Sequence, residues 1–98
     1  MPITLDTVVV ATPDQVSSDL EGEAVILHLG QSMYYGLNEV GARIWELIKQ
    51  PTPARDVRDA IASEYDVDEA RCERDVLNLL SELETRGLAQ VVPADTSP

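Results

Sequence analysis

Cysteine and histidine each occur only once in this chain of 98 residues, as Cys72 and His28. One cysteine cannot form a disulfide within the chain, and one histidine cannot build a histidine-based metal site by itself. A thiol–imidazole pair would have to join a histidine on a predicted strand to a cysteine on the apolar face of a predicted helix. We therefore expect no catalytic residue, no metal site and no cofactor.

The sequence also lacks a glycine-rich phosphate loop, a paired CxxC motif and an HExxH motif. It has 18 carboxylates, which could in principle supply an acid–base pair. Eight of them fall within the predicted second and third helices, at 53–65 and 69–86, where acidic residues on the outer faces are typical of a solvated surface. The composition indicates a binding protein instead of an enzyme.

Positive charge is scarce, with seven lysines and arginines and a net charge of −11. The longest predicted helix, at 69–86, carries three arginines against six carboxylates when Asp68, just before it, is counted. Proteins that bind DNA gain much of their affinity from phosphate contacts, which such a helix would oppose. We expect no nucleic-acid partner, and basic peptides or basic protein surfaces are favoured.

Long apolar runs are absent too, since none approaches the roughly 20 residues that span a bilayer. The N-terminus, MPITLDTVVV, lacks the positive charge that begins a secretory signal. The chain is therefore predicted to be cytoplasmic and to have no membrane partner. Its 44% apolar content is enough for one modest core, so we expect one domain at 1–92 and a flexible, polar tail at 93–98.

Four segments in the first part of the chain favour strands. Residues 3–11 are rich in β-branched side chains, 15–20 alternate weakly, and 24–29 (AVILHL) have the clearest strand character. The short connection at 30–32 predicts an antiparallel hairpin between 24–29 and 33–37. We expect a sheet of three or four strands, all within the first third of the chain.

Two helices are predicted to follow. Asn38 is a suitable N-cap for a helix at 39–49, in which Trp45 lies at the margin of the apolar stripe. Thr52 followed by Pro53 predicts a capping hydroxyl and a proline in the first turn of a second helix, at 53–65.

The third helix is predicted at 69–86. It follows a turn at 66–68 and ends at Gly87, a residue suited to a left-handed C-cap. The apolar spacing of this helix is the strongest helical signal in the chain: Cys72, Val76, Leu79, Leu80 and Leu83. After the helix, residues 88–92 (LAQVV) are compatible with a short strand. The order of elements predicts an α+β fold with the winged helix-turn-helix layout.

The segment 33–37 brings together Tyr34 and Tyr35, two of the four aromatic residues. If this strand lies at the edge of its sheet, a peptide could add to it as the next strand.

Ordering about five peptide residues costs on the order of 1–2 kcal/mol each. Each new backbone hydrogen bond returns only about 0.5–1.5 kcal/mol. Apolar anchors must therefore supply the affinity, and a helix-three wall is predicted from Val76, Leu79 and Leu83.

Three runs of the chain, in order, are GEAVILHLGQSMYYGLNEVGARIWELI, EYDV and RDVLNLLSELETRGL. In these runs the sequence resembles the PqqD-like family of RiPP recognition elements, which bind ribosomally made precursor peptides. The order and spacing of the runs carry the resemblance, which covers roughly residues 16–92. Within the family the chain is most similar to the free-standing leader-binding half of a split lasso-peptide B protein.

The resemblance implies a winged-helix domain to which the precursor's leader adds as an antiparallel strand, beside helix three. It also implies two enzyme partners, a leader-cleaving cysteine protease and an ATP-dependent macrolactam cyclase. Carried over to this sequence, the leader-binding residues are Met33, Tyr34, Tyr35, Gly36, Leu37, Asp75, Val76, Leu79, Glu82 and Leu83.

Several alternatives stay open at this level. Residues 3–13 could add a strand, swap between subunits, or cover the second face of strand 24–29. Tyr34 and Tyr35 must face opposite ways, and either could meet the peptide. A PqqD-like chaperone for another modifying enzyme, such as a radical SAM protein, and an acidic winged-helix regulator are the alternative functions.

Overall fold

The structure is a computed structural model that describes residues 3–13, 15–20, 23–28 and 33–92. The predicted tail at 93–98 and the predicted connection at 30–32 lie outside the described residues. Among the described helices, none has the length and apolar character needed to cross a membrane.

Four strands come first in the described chain, three helices follow with a two-residue strand between the first two, and a last strand ends it. This order confirms the predicted α+β class and the sheet followed by three helices. The elements are β1 (Val8–Ala11), β2 (Gln15–Leu20), β3 (Glu23–His28), β4 (Met33–Leu37), α1 (Glu39–Leu47), β5 (Thr52–Pro53), α2 (Ala54–Glu64), α3 (Glu69–Thr85) and β6 (Ala89–Val92).

The first sheet contains β2, β3 and β4 in sequence order, with antiparallel pairing throughout. Ala24 pairs with Leu37 and Ile26 pairs with Tyr35, so the predicted hairpin between β3 and β4 is confirmed. Ala24 and Ile26 are buried, and this face of the sheet packs against α1.

The N-terminal segment forms a different sheet from the one expected. Its strand begins at Val8 instead of Ile3 and lies between β5 and β6, in the order β5-β1-β6. The expectation of one sheet within the first third of the chain is therefore wrong, whereas the short strand predicted at 88–92 is confirmed as β6. Of the roles considered for residues 3–13, the segment adds a strand, but to this second sheet. Its partners lie far along the chain, where local sequence patterns carry no information about pairing.

The same N-terminal segment also caps α2. The backbone N–H of Ala54 donates to the carbonyl of Thr7 at 2.8 Å, and that of Arg55 donates to the carbonyl of Leu5 at 2.9 Å. These bonds satisfy N–H groups in the first turn, which have no partner within a helix. Asp6 adds an ion pair to Arg55 at 2.7 Å.

The predicted cap of α1 is confirmed, whereas that of α2 is wrong. The Asn38 side chain accepts from the N–H of Gly41 at 2.8 Å. The Thr52 hydroxyl instead donates to the carbonyl of Leu47, at the end of α1, at 2.8 Å. Thr52 and Pro53 pair with β1, which holds them extended and leaves Pro53 as an N-cap without a side-chain bond.

Both ends of α3 follow the sequence prediction. The Asp68 carboxylate caps the start by accepting from the N–H of Arg71 at 3.0 Å. Gly87 has φ 78°, the left-handed conformation that glycine adopts without steric cost. The N–H of Leu88 then donates to the carbonyl of Leu83 at 2.9 Å, which completes a Schellman motif and directs the chain into β6.

The core lies between the two sheets and the three helices. Trp45 is 2% exposed and belongs to it, which corrects its predicted place at the margin of α1. The reason is that α1 packs against both β3 and α2, so its buried arc is wider than one stripe. Among the described residues, the Trp45 Nε1–H has no hydrogen-bond partner. Such a buried donor costs about 1–3 kcal/mol.

Candidate functional site

β4 is an edge strand of its sheet. It pairs with β3 on one side, and no other described strand pairs with it on the other. In an antiparallel sheet every second residue of an edge strand directs its N–H and C=O away from the neighbouring strand. These groups are available to a further strand from another chain.

The pairing register decides which tyrosine faces the helices. Residues directly opposite each other in an antiparallel pair lie on the same face, so Tyr35 shares a face with Ile26, and Leu37 shares it with Ala24. Both partners are buried in the core, whereas Tyr34 is 75% exposed on the other face. The question that the sequence left open is thereby answered: Tyr35 points toward α3.

A groove of about 670 Å³ lies beside this edge, between β4 and α3. Helix α3 forms one wall with residues that recur at helical spacing and therefore share a face. The start of α1 and the turn between α2 and α3 complete the lining. The wall residues of α3 are Arg71, Cys72, Asp75, Val76 and Leu79.

The floor of the groove is apolar and the rim at one end is acidic. Ile44, Ile61 and Val76 belong to both the groove and the core. The carboxylates of Asp66, Asp68 and Asp75 lie at the end where α3 begins, together with the single guanidinium of Arg71. Arg71 is 3.9 Å from Asp75, and both side chains are well exposed, so this ion pair is weak. The excess of negative charge favours cations at this rim.

Tyr35 marks the other end of the groove. The guanidinium carbon of Arg86 lies 5.1 Å from the centroid of the Tyr35 ring, which is within cation–π range. The same guanidinium donates to the Glu82 carboxylate, with Nη2 at 3.1 Å and Nε at 3.3 Å from Oε2. Three side chains thus connect β4 with the last turns of α3.

The surroundings of Tyr35 alter its ionisation. Burial raises the pKa of its phenol, and a hydrogen bond to Glu82 and the negative charge of Glu82 raise it further, while Arg86 lowers it. The neutral phenol is therefore favoured in the folded state. Stability that depends on this phenol is present below its ordinary pKa and is lost as the pH rises through the raised value.

The structure brings six of the ten carried-over residues to the groove: Tyr35, Gly36, Leu37, Asp75, Val76 and Leu79. Tyr34 lies on the opposite face, Glu82 lies beside Tyr35 at the groove's end, and Leu83 is 0% exposed in the core. The side chain of Met33 lies outside the described part of the structure. That these residues bind a leader remains a prediction.

Several groove residues were missed by sequence reasoning. Arg71 and Cys72 lie one turn before Asp75 and Val76 on the same stripe, so helical spacing could have found them. Asp66 reaches the groove from the turn before α3, and no sequence pattern indicates this. Arg86 lies outside the groove lining and contacts Tyr35, and its position one turn after Glu82 is the sequence signal for it.

Cys72 lines the groove but is 4% exposed. Its Sγ lies 3.8 Å from the carbonyl oxygen of Arg58. Burial raises the pKa of this thiol, as does the nearby charge of Asp75, so the thiolate is disfavoured. The side chain of His28 lies outside the described part. Within the described residues there is no group of three or more histidine, cysteine or acidic side chains that could hold a metal ion.

Comparison with known proteins identified one family and two similar structures. The profile of the family described as "Coenzyme PQQ synthesis protein D (PqqD)" matches residues 23–89. The structure described as "TbiB1 in Complex with the TbiA(beta) Leader Peptide" is similar with a TM-score of 0.75 and 36% identity, covering 82% of this chain and 93% of that one.

The structure described as "Lasso peptide synthetase B1 complexed with the leader peptide" has a TM-score of 0.73 and 26% identity. It covers 87% of this chain and 98% of that one. No curated protein matches the sequence significantly.

Proposed function

Because this chain belongs to the PqqD family, we propose that it is a non-catalytic protein that binds the leader region of a ribosomally made precursor peptide of the lasso type. The leader adds as a strand to β4 and lies in the groove beside α3. The bound precursor is then presented to a leader-cleaving cysteine protease and to an ATP-dependent macrolactam cyclase. Both similar structures contain a leader peptide, which supports the binding step.

The observation that carries this proposal is the position of a free strand edge directly beside an apolar groove. A peptide on the edge of β4 would place alternate side chains on the same face as Tyr35 and Leu37. That face opens into the groove. Backbone pairing and side-chain burial therefore occur together, which is the pattern of recognition by strand addition.

The length of the groove limits how much peptide it holds. From Arg71 to Leu79 the helix rises about 12 Å, since each helical residue adds about 1.5 Å. An extended strand covers that distance with about four residues at roughly 3.3 Å each. Two of these would face the groove, and their burial would contribute about 3–6 kcal/mol. Backbone hydrogen bonds approximately offset the ordering of the peptide.

The acidic rim adds a preference for charge. A lysine or arginine in the leader near Asp66, Asp68 and Asp75 would meet an excess of carboxylates at the start of α3. The net charge of −11 would also attract a basic peptide from a distance. This electrostatic attraction acts between exposed groups and is therefore weakened by salt.

Fluorescence polarisation tests the proposal directly. A labelled synthetic peptide covering the leader of the precursor encoded beside this gene is titrated with the protein. We expect saturable binding with a Kd below about 100 μM, equivalent to about 5.5 kcal/mol. A flat titration with folded protein would overturn the proposal, and a scrambled leader of the same charge serves as the control.

A second function within the family is a peptide chaperone for another modifying enzyme, such as a radical SAM protein. The family description, which refers to coenzyme PQQ synthesis, favours keeping it. The genes beside this one distinguish the two. A transglutaminase-like protease and an asparagine-synthetase-like cyclase indicate the lasso pathway, and a radical SAM enzyme indicates the alternative.

A further inference from the structure

The face of α3 that lines the groove continues beyond the groove's end. Arg71, Asp75, Leu79, Glu82 and Arg86 follow one another at intervals of three or four residues, so they lie on one side of the helix. The first three line the groove. Glu82 and Arg86, one and two turns further on, instead contact Tyr35.

Tyr35 therefore stands as a wall at the end of the groove, with Glu82 and Arg86 outside the groove's lining. Arg86 holds both partners at once, because it donates to Glu82 at 3.1 Å and lies 5.1 Å from the centre of the tyrosine ring. The arginine and the carboxylate compensate each other's charge. We call these two residues the Glu82–Arg86 brace.

The brace contributes little to the stability of the fold. The side chains of Arg86 and Glu82 are 41% and 48% exposed, and exposed ion pairs contribute little to folding. The ring of Tyr35, in contrast, is a half-buried side chain on an edge strand, with free space in the groove beside it. Glu82 and Arg86 both contact this ring and so restrict its orientation.

We propose that the Glu82–Arg86 brace holds the ring of Tyr35 as a fixed end wall, and that this wall sets the register and the side-chain size that the groove accepts. This inference rests on the proposed leader binding. The peptide residue opposite Tyr35 lies on the same face and within about 4.5–5.5 Å between Cβ atoms, so it meets the wall and must be small. The residue two positions away, opposite Leu37, faces the open apolar groove and accepts a large side chain.

Glu82 and Arg86 are therefore positioning residues for peptide selection. A strand can slip along an edge only in steps of two residues if the same side chains are to face the groove. A fixed wall makes such a slip unfavourable, because it would bring the large side chain against Tyr35. Without the brace the ring turns away, the groove extends toward the end of α3, and the size limit is relaxed.

The test is a scan of the leader peptide in which alanine and tryptophan are placed in turn at each position. The ratio of the tryptophan Kd to the alanine Kd is measured by fluorescence polarisation. In the unaltered protein we expect one position with a ratio of at least about tenfold, and a position two residues away that accepts tryptophan. Arg86→Met, which keeps the aliphatic stem, should lower the high ratio at least about fivefold, a difference of about 1 kcal/mol.

Arg74→Met is the matched control, because Arg74 is an exposed arginine of the same helix and lies outside the groove lining. It should leave the ratio within about twofold of the unaltered protein. A merely structural role of Arg86 would weaken both peptides equally and leave the ratio unchanged. An unchanged ratio in folded Arg86→Met protein would overturn the inference.

A second readout follows the ring itself, through alkaline titration of tyrosine absorbance, with Tyr35→Phe used to assign the component. Arg86 lowers the pKa of Tyr35, so removing it from a static ring would raise the pKa. If the ring turns toward water instead, burial and the Glu82 hydrogen bond are lost and the pKa falls. We expect the pKa of Tyr35 to fall in Arg86→Met, and a rise would contradict the proposed role of the Glu82–Arg86 brace.

The two readouts separate this inference from the proposed function. If the unaltered protein binds no leader, the proposed function and the selectivity claim fail together, while the titration still shows whether Arg86 holds the ring. If the leader binds and the ratio is insensitive to Arg86, only the brace is wrong.

Discussion

The two sheets contain three antiparallel strands each but differ in how they are assembled. The sheet β2-β3-β4 joins neighbouring segments of the chain, and its last strand presents a free edge to the groove. The sheet β5-β1-β6 joins the N-terminal segment to strands that follow α1 and α3. The first sheet carries the candidate site, whereas the second ties distant parts of the chain to one core. Changes in the second should affect folding, and changes beside the first should affect binding.

The largest effect is expected from Val9→Asp in β1. Val9 is 0% exposed, so the substitution buries a carboxylate without a partner or forces the sheet apart. We expect a loss of at least about 3 kcal/mol in the free energy of unfolding, measured by urea denaturation. Gln90→Asp, at an exposed position of β6, adds the same charge to the same sheet and should change stability by less than about 0.5 kcal/mol. Equal losses of stability in Val9→Asp and Gln90→Asp would contradict the role of β1 in holding the core together.

A charge in the groove wall tests the role in binding of the site beside the sheet β2-β3-β4. Leu79→Asp should weaken leader binding at least about tenfold, or about 1.4 kcal/mol, because it replaces an apolar contact with a carboxylate. Asn78→Asp adds the same charge to the exposed side of α3 and should change the Kd less than about twofold. Fluorescence polarisation measures both. If Leu79→Asp lowers stability without changing the affinity of the folded protein, Leu79 belongs to the core alone.

The adjacent tyrosines of β4 compare the two faces of one strand. Tyr35→Ala should weaken leader binding about fivefold, since it removes the end wall of the groove together with its contact to Arg86. Tyr34→Ala should have less than about a twofold effect, because that side chain is 75% exposed on the far face. The same titration measures both variants, and a larger effect at Tyr34 would reverse the assignment of the faces.

The smallest effect concerns the acidic rim. Asp75→Asn should weaken binding of a basic leader about two- to threefold at about 0.05 M salt, as expected for an exposed charge. The difference should vanish near 1 M salt, where the screening length falls to about 3 Å. Titrations at the two salt concentrations measure it. A loss of affinity that is independent of salt would show that Asp75 acts through packing.

Much of the local structure follows from local patterns. The helical spacing in α3, the Asn38 cap and the left-handed Gly87 each involve residues within a few positions of one another. Such contacts depend on short-range geometry, and the predicted bounds of the three helices agree with the structure to within two residues. Six of the carried-over residues lie at the groove and belong to β4 and α3, which local patterns also predict: Tyr35, Gly36, Leu37, Asp75, Val76 and Leu79. That they bind a leader stays a prediction.

The predictions from sequence that prove wrong concern residues whose contacts are decided by distant segments of the chain. The Thr52 hydroxyl could cap the helix that follows or the helix that precedes it, and the pairing of Thr52 with Val9 in β1 decides for the latter. A single apolar stripe puts Trp45 at the margin of α1, whereas β3 and α2 cover this helix on two sides.

By itself, the sequence determined the class of fold, the three helices, the caps of α1 and α3, the acidic charge and the strand that forms the site's edge. Only the tertiary structure decided the sheet that β1 joins, the face on which Tyr35 lies, and the wall that Tyr35 forms with Glu82 and Arg86. The physical reason is the range of the interactions. The apolar period of a helix and its capping depend on residues within one or two helical turns of each other. The register of paired strands, the burial of a side chain and the end of a groove depend on residues that meet only after folding.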